Sequence, residues 1–199
     1  DLYPGSNNMN IFHPEGQFGS RLTKEPGAGR YISTAFNENF RKLFRKEDDA
    51  ILDHNQVDGT EIEPKLYLPL LPFVLINGAT GMGTGHSCEI KSYNPNELRD
   101  AVLQVLAGKS LVDHTLVPFF NGFHGTVHKN PTTGQLIISG KLEVVNSTTI
   151  RISELPVGVF LDQYKEHLNK LEEAEFIKDY VDGSREDSFE FTVTVPRTT

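Results

Sequence analysis

Gly-Gln-Phe-Gly-Ser-Arg at residues 16–21, carried through Leu-Thr-Lys-Glu-Pro-Gly-Ala to Gly-Arg-Tyr-Ile-Ser-Thr at 29–34, decides how this chain is read. Glycines at 16, 19, 27 and 29 make the stretch a loop that bends where other residues resist. Arg30-Tyr31 stands at its end. Beyond it, Phe36, Phe40, Leu43 and Phe44 recur at i, i+4, i+7 and i+8, which predicts a helix over about 35–46. Ser33 or Thr34 is the expected cap, and Arg41, Lys42 and Arg45 fall on the opposite face. A tyrosine between a glycine-studded loop and a basic helix has the setting of a nucleophile held beside phosphate, not of a core residue.

Charge is distributed unevenly around this pair. The 199 residues carry a formal net charge of −8, which by itself argues against nucleic acid. Residues 1–46, however, hold seven basic and four acidic groups, net +3, and the remainder holds 12 and 23, net −11. An acidic remainder would confine a polyanion to one face. On charge alone a solvated helix face accounts for the same residues.

Length allows one large domain or two small ones. The longest apolar run, Leu68–Ile76, contains two prolines and falls short of the ~18–20 residues of a membrane span. A single cysteine, Cys88, excludes an internal disulfide and fits a reducing compartment. With no initial methionine and no signal-like segment, the sequence reads as a piece of a longer cytoplasmic protein.

Asp53–Thr60 reads as turn and linker, and Pro64, Pro69 and Pro72 keep the next segment extended. Phe73–Ile76 reads as a buried strand. A helix then opens with Asn94 as cap, Pro95 in first position and Glu97 three after the cap, and Gly108 ends it. From 117 onward, strands are expected at Gly125–Lys129, Gln135–Lys141, Leu142–Asn146 and Thr149–Ile152, with a hairpin turn at Asn130–Gly134. A helix over about 159–173 follows. Phe176–Val181 and Phe189–Val195 flank Asp182-Gly183-Ser184 as the last two strands. The class is α+β with a mainly antiparallel sheet.

Gly78, Gly81, Gly83 and Gly85 invite a phosphate-loop reading. A dinucleotide fingerprint opens directly into a helix, and a P-loop carries Gly-Lys-Ser/Thr; neither follows here. Two readings remain. The run is an irregular turn with Met82 folded into the core, or it brings backbone close to DNA with Met82 projecting as an apolar wedge between base steps. The histidines (13, 54, 86, 114, 124, 128, 167) show no metal-ligand spacing with a second anchor, so no zinc is assigned. No Ser/His/Asp arrangement stands out.

Ordered across nearly the whole chain, further segments sharpen this reading. Pro-Gly-Ser-Asn-Asn-Met-Asn (4–10), Gly-Gln-Phe-Gly-Ser-Arg (16–21) and Arg-Tyr-Ile (30–32) resemble the breakage-reunion core of type IIA DNA topoisomerases. So do Glu63-Pro64-x-x-Tyr67-Leu68-Pro69-x-x-Pro72, Ile76–Gly85, Tyr93-Asn94-Pro95, Gly122-Phe123-x-Gly125-Thr126 and Glu154-Leu155-Pro156. Ile32 resembles the eukaryotic and T-even-phage branch, since gyrase has threonine after the tyrosine, and the medium subunit of the T-even phages is the nearest expectation. The loop 22–29 is shorter than in eukaryotic members, where it carries Gly-Gly-Lys-Asp, which leaves the role of Lys24 open.

The resemblance implies a partial winged-helix DNA-cleavage domain over 1–62 and a mixed α/β tower domain over 63–199 that includes the bending loop. It implies that Tyr31 attacks a DNA phosphodiester, that Arg30 supplies charge to the transition state, and that Arg21, Lys24, Arg41 and Arg45 hold DNA backbone. Met82 stands where the family has a wedging isoleucine. Mg²⁺ is then supplied by an acidic domain on a partner subunit, the ATP is used by a partner subunit, and this chain binds neither. The implied partners are double-stranded DNA, the ATPase and metal-binding subunits, and a second copy of the full subunit, with no membrane. Host cytoplasm is the location if the protein is phage-encoded. A non-catalytic DNA-binding and bending module is the alternative, and a nucleotide-binding enzyme is a distant third.

Overall fold

The alternation Phe189, Phe191, Val193, Val195 forms the centre of the largest core. In the computed structural model, which describes residues 3–112, 116–186 and 188–197, β9 (Lys141–Asn146), β10 (Thr149–Glu154), β11 (Asp179–Asp182) and β12 (Phe191–Thr194) make an antiparallel sheet in the order β11-β12-β10-β9. Helix α4 (Leu161–Glu173) contributes Leu168 and Tyr164 to the core against it. Phe191 is fully buried, with Tyr164 edge-on at 5.2 Å between ring centroids. Burying a side chain of this size contributes about 1.5–3 kcal/mol. Tyr180 of β11 donates its hydroxyl to Asn169 of α4 at 2.7 Å, so the phenol reaches a polar partner at the core edge. The hairpin β7 (Thr126–Lys129)–β8 (Leu136–Ser139) precedes the sheet in the chain.

A second, smaller core unites Leu43, Ile76 and Leu98. It draws on both sides of residue 62. Leu98 belongs to α3 (Pro95–Leu106), which starts as its sequence signals require: the Asn94 side chain accepts from the Asn96 amide at 2.9 Å, and Pro95 opens the helix. Gly108, with φ +72°, lies just past its end.

Several local expectations are corrected. Residues 33–36 are a strand, β2 (Ser33–Phe36), paired with β1 (Phe12–Glu15); the helix, α1 (Glu38–Leu43), starts only after Asn37. Asn37, rather than Ser33 or Thr34, is the cap, accepting from the Asn39 amide at 3.0 Å. Phe36 mimics a helical position because it stacks between Phe12 and Phe40, at 5.5 and 4.5 Å, from the end of its strand. Phe73–Ile76 lies in a helix, α2 (Phe73–Asn77), not a strand. Short apolar runs are ambiguous by pattern, and here the Pro72 carbonyl accepts from Leu75 and Ile76 and starts the turn. Residues 53–60 are no linker: β3 (His54–Val57) and β4 (Thr60–Pro64) form a hairpin turned by Asp58-Gly59, at φ +51° and +76°. Both central residues have the positive φ of a twist-matched two-residue turn. The glycine run is likewise no irregular turn but a two-stranded ribbon, β5 (Ala79–Gly83) and β6 (His86–Ile90).

Candidate active site

Glu15 and Ser33 form the last pair of the β1–β2 ladder, with the Ser33 hydroxyl donating to the Glu15 carboxylate. Beyond it the chain must fold back on itself. Gly16, at φ +99°, lies so close to the returning strand that a Cβ there would stand 3.0 Å from the Tyr31 carbonyl. Glycine alone meets both demands. The loop is then stitched across its base by the Gly27 amide donating to Gln17 at 2.8 Å and by Ser20 donating to Thr23 at 2.7 Å.

This loop delivers a single 3₁₀ turn, Gly29–Tyr31, with the Tyr31 amide bonded to Ala28 at 2.8 Å. Tyr31 is 75% exposed. The Arg30 guanidinium carbon stands 5.4 Å from the centre of its ring. A planar cation thus lies beside an accessible phenol, a pairing suited to a phosphate-directed nucleophile.

Other residues singled out from the sequence are placed differently. Arg41 on α1 and Arg45 just beyond it are exposed. Arg45 pairs with Glu47 at 3.4 Å; a hydrogen bond to backbone and this pair hold the Glu47 carboxyl below its ordinary range. An exposed pair of this kind holds its cation only weakly. Lys24 lies 5.5 Å over the Phe160 ring, at the start of α4. Arg21 is only 9% exposed and is bound to Glu154 and the Leu155 carbonyl inside the large core. Unlike Arg30, Arg41 and Arg45, it is not an exposed residue. Met82 is 92% exposed near the tip of the ribbon, opposite Ser87, so the core reading of this side chain is excluded.

The base of the ribbon is held by residues whose sequence suggests only turn chemistry. The Asn8 side-chain amide donates to the carbonyls of Ile76 (2.9 Å), Tyr93 (3.3 Å) and Phe119 (2.9 Å), and its oxygen accepts from the Asn121 amide at 2.8 Å. Asn77 closes a two-way bond with the backbone of Met9, at 2.9 and 2.8 Å. A Cβ on Gly78, at φ +73°, would stand 2.6 Å from the Ile90 carbonyl. Asparagines spaced through Ser6–Asn10 are the signal available in the sequence, because amides satisfy buried backbone groups that hydrophobic residues cannot.

Among the described residues, no group of three or more His, Cys, Asp and Glu side chains is placed to hold a metal ion. The donor set among the described residues does not fit a Mg²⁺ site. His114 lies outside the described residues.

Residues 3–199 match the family of the DNA gyrase/topoisomerase IV A subunit. The chain belongs to this family. Within the wider group of type IIA enzymes, it is 42% identical over 197 residues to DNA topoisomerase 2 of Arabidopsis thaliana, covering 95% of this chain and 13% of that protein. It is 39% identical over 168 residues to human DNA topoisomerase 2-alpha, covering 83% of this chain and 11% of the relative. It is also 39% identical over 172 residues to DNA topoisomerase 2 of Acanthamoeba polyphaga mimivirus, covering 85% and 13%. A crystal structure of the Plasmodium falciparum topoisomerase II DNA-binding, cleavage and re-ligation domain superposes with a TM-score of 0.87 at 34% identity, covering 99% of this chain and 27% of that one. The chain therefore spans little more than a tenth of these curated relatives. No helix among the described residues is long and apolar enough to cross a membrane.

Proposed function

We propose that this chain is the DNA breakage-reunion part of a type IIA, ATP-dependent topoisomerase, with Tyr31 as nucleophile and Arg30 as its electrostatic partner. The observation that carries the reading is the exposed Tyr31 with the Arg30 guanidinium over its ring, at the end of a stitched glycine loop. The tyrosine oxygen bonds to the phosphorus, the bond from phosphorus to the 3′ oxygen breaks, and the strand leaves with a free 3′ hydroxyl. The new link is a 5′-phosphotyrosyl ester. Because one ester replaces another, resealing is the same step reversed and draws nothing from ATP. Arg30 stabilises the charge that develops on the phosphoryl oxygens. Arg41 and Arg45 position the backbone without reading sequence.

The rest of the machine lies in other parts of the enzyme. An acidic domain outside this chain would hold Mg²⁺, which would supply Lewis-acid chemistry to the scissile phosphate; ATP would be used by an ATPase module. As in the T-even phages, these sit on partner subunits, and the full breakage subunit is a homodimer working in the cytoplasm, that of the host if phage-encoded. Residues 1–62 form the end of the winged-helix domain and 63–199 the tower. Incubated with DNA and Mg²⁺, this chain alone produces no cleavage. Cleavage by the isolated chain would contradict this division of labour.

Met82 acts as the wedge. An exposed thioether side chain on the two-stranded ribbon inserts between base steps and bends the duplex. Met82→Ala in the full enzyme lowers the DNA bend measured by FRET and reduces cleavage as a consequence. An unchanged bend removes the assignment. A pure bending module would need Met82 and the basic helix but not the Arg30–Tyr31 pair, so that pair favours the catalytic reading.

A further inference from the structure

Arg21 is built into the protein in a way that a DNA contact would not require. One guanidinium nitrogen donates to Glu154 Oε1, the other to the Leu155 carbonyl at 2.7 Å, and the guanidinium carbon lies 4.4 Å from the centre of the Phe189 ring. Glu154 is 4% exposed and its carboxylate is fully engaged: Oε1 also accepts from the Leu155 amide at 2.9 Å, and Oε2 from the His124 amide at 3.1 Å. Gly140 permits this arrangement, since a Cβ there would stand 2.2 Å from the Glu154 carbonyl. A buried ion pair is a weak stabiliser, because desolvating both charges offsets most of their attraction. What it adds over a hydrophobic pair is one defined orientation of a planar fork.

That orientation is passed to the tyrosine loop. Arg21 also accepts, through its carbonyl, from the amide of Leu161 at the start of α4, at 3.2 Å. Leu22 packs against the large core. Four residues before Arg21, Gln17 bonds Gly27, which lies four residues before Tyr31. Sheet, loop and tyrosine are thus linked by successive contacts, with Arg21 as the element that joins the first two.

We propose that Arg21 and Glu154 form a positioning joint that fixes the angle of the Tyr31 loop against the four-stranded sheet, so that the phenol meets the phosphodiester in line. The proposal rests on the breakage-reunion reading and adds a residue that works without touching DNA. Misplacing a reacting group by about 1 Å costs up to roughly a hundredfold in rate.

The test uses the full enzyme with DNA and Mg²⁺, comparing Arg21→Met with the double variant Arg21→Met/Glu154→Gln and a Tyr31→Phe control, each beside its melting curve. The double variant removes both charges, so neither is left buried without its partner, and the glutamine carbonyl oxygen still accepts a backbone amide. For both variants, the rate of covalent adduct formation falls about tenfold to a hundredfold, while DNA affinity and its salt dependence stay unchanged. If the double variant regains both melting temperature and adduct rate, the pair is merely structural and the proposal fails. Weaker binding with a salt slope reduced by about one makes Arg21 a phosphate contact and also defeats it. Adducts that persist in the Tyr31→Phe control contradict the proposed function itself. Adducts lost in that control but formed at the original rate by both Arg21 variants contradict the joint alone.

Discussion

Tyr31→Phe in the full enzyme is expected to abolish covalent protein–DNA complexes while leaving the protein folded and DNA-bound. The substitution removes one oxygen and keeps the ring. That ring is 75% exposed and makes its noted contact with Arg30 through its face, so stability should shift by no more than about 0.5 kcal/mol. In the proposed reaction the chemistry depends on the oxygen entirely, since phenylalanine has no atom that can form the phosphoryl ester. The check is a denaturing gel of trapped complexes beside a melting curve and a binding isotherm. Loss of adducts with unchanged melting and binding is the expected pattern. Adducts that survive place the nucleophile elsewhere.

Arg30→Ala is expected to have the second largest effect. The guanidinium sits beside the phenol, where phosphoryl oxygens would gather charge as the new ester forms. Removing one preorganised donor from such a position costs about 10²–10³ in rate. Arg30→Lys should recover only part of this, because an ammonium cannot present the two parallel donors of the fork. A plain phosphate contact would behave otherwise: affinity would fall and the salt slope would drop by about one, with the cleavage rate at saturating DNA preserved. Single-turnover cleavage measured against DNA concentration separates the two outcomes.

Much of the fold is legible in the sequence because local signals and packing agree. At α3 the cap, the proline and the terminal glycine all point the same way, and in β12 the alternation of Phe191 and Val193 matches the buried face. The misreadings have identifiable physical causes. Phe36 occupies a strand end, yet its ring continues the aromatic stack of α1, so spacing alone places it in the helix. Phe73–Ile76 is too short for periodicity to separate helix from strand. Asp58-Gly59 is a hairpin signal masked by the acidic, proline-flanked segment around it.

The candidate site divides in the same way. Arg30 and Tyr31 are neighbours in the chain, so their juxtaposition can be read directly. Arg21 pairs with a residue 133 positions away, and Asn8 bonds carbonyls 68, 85 and 111 positions away. No local pattern carries such information. A basic residue in a basic segment resembles a phosphate contact until its distant carboxylate is seen.

The most direct measurement is to trap the adduct formed by the full enzyme on DNA, digest both components, and map the nucleotide-bearing peptide by mass spectrometry. The account predicts a 5′-linked nucleotide on Tyr31. A nucleotide on another residue, or linked through its 3′ phosphate, would contradict it.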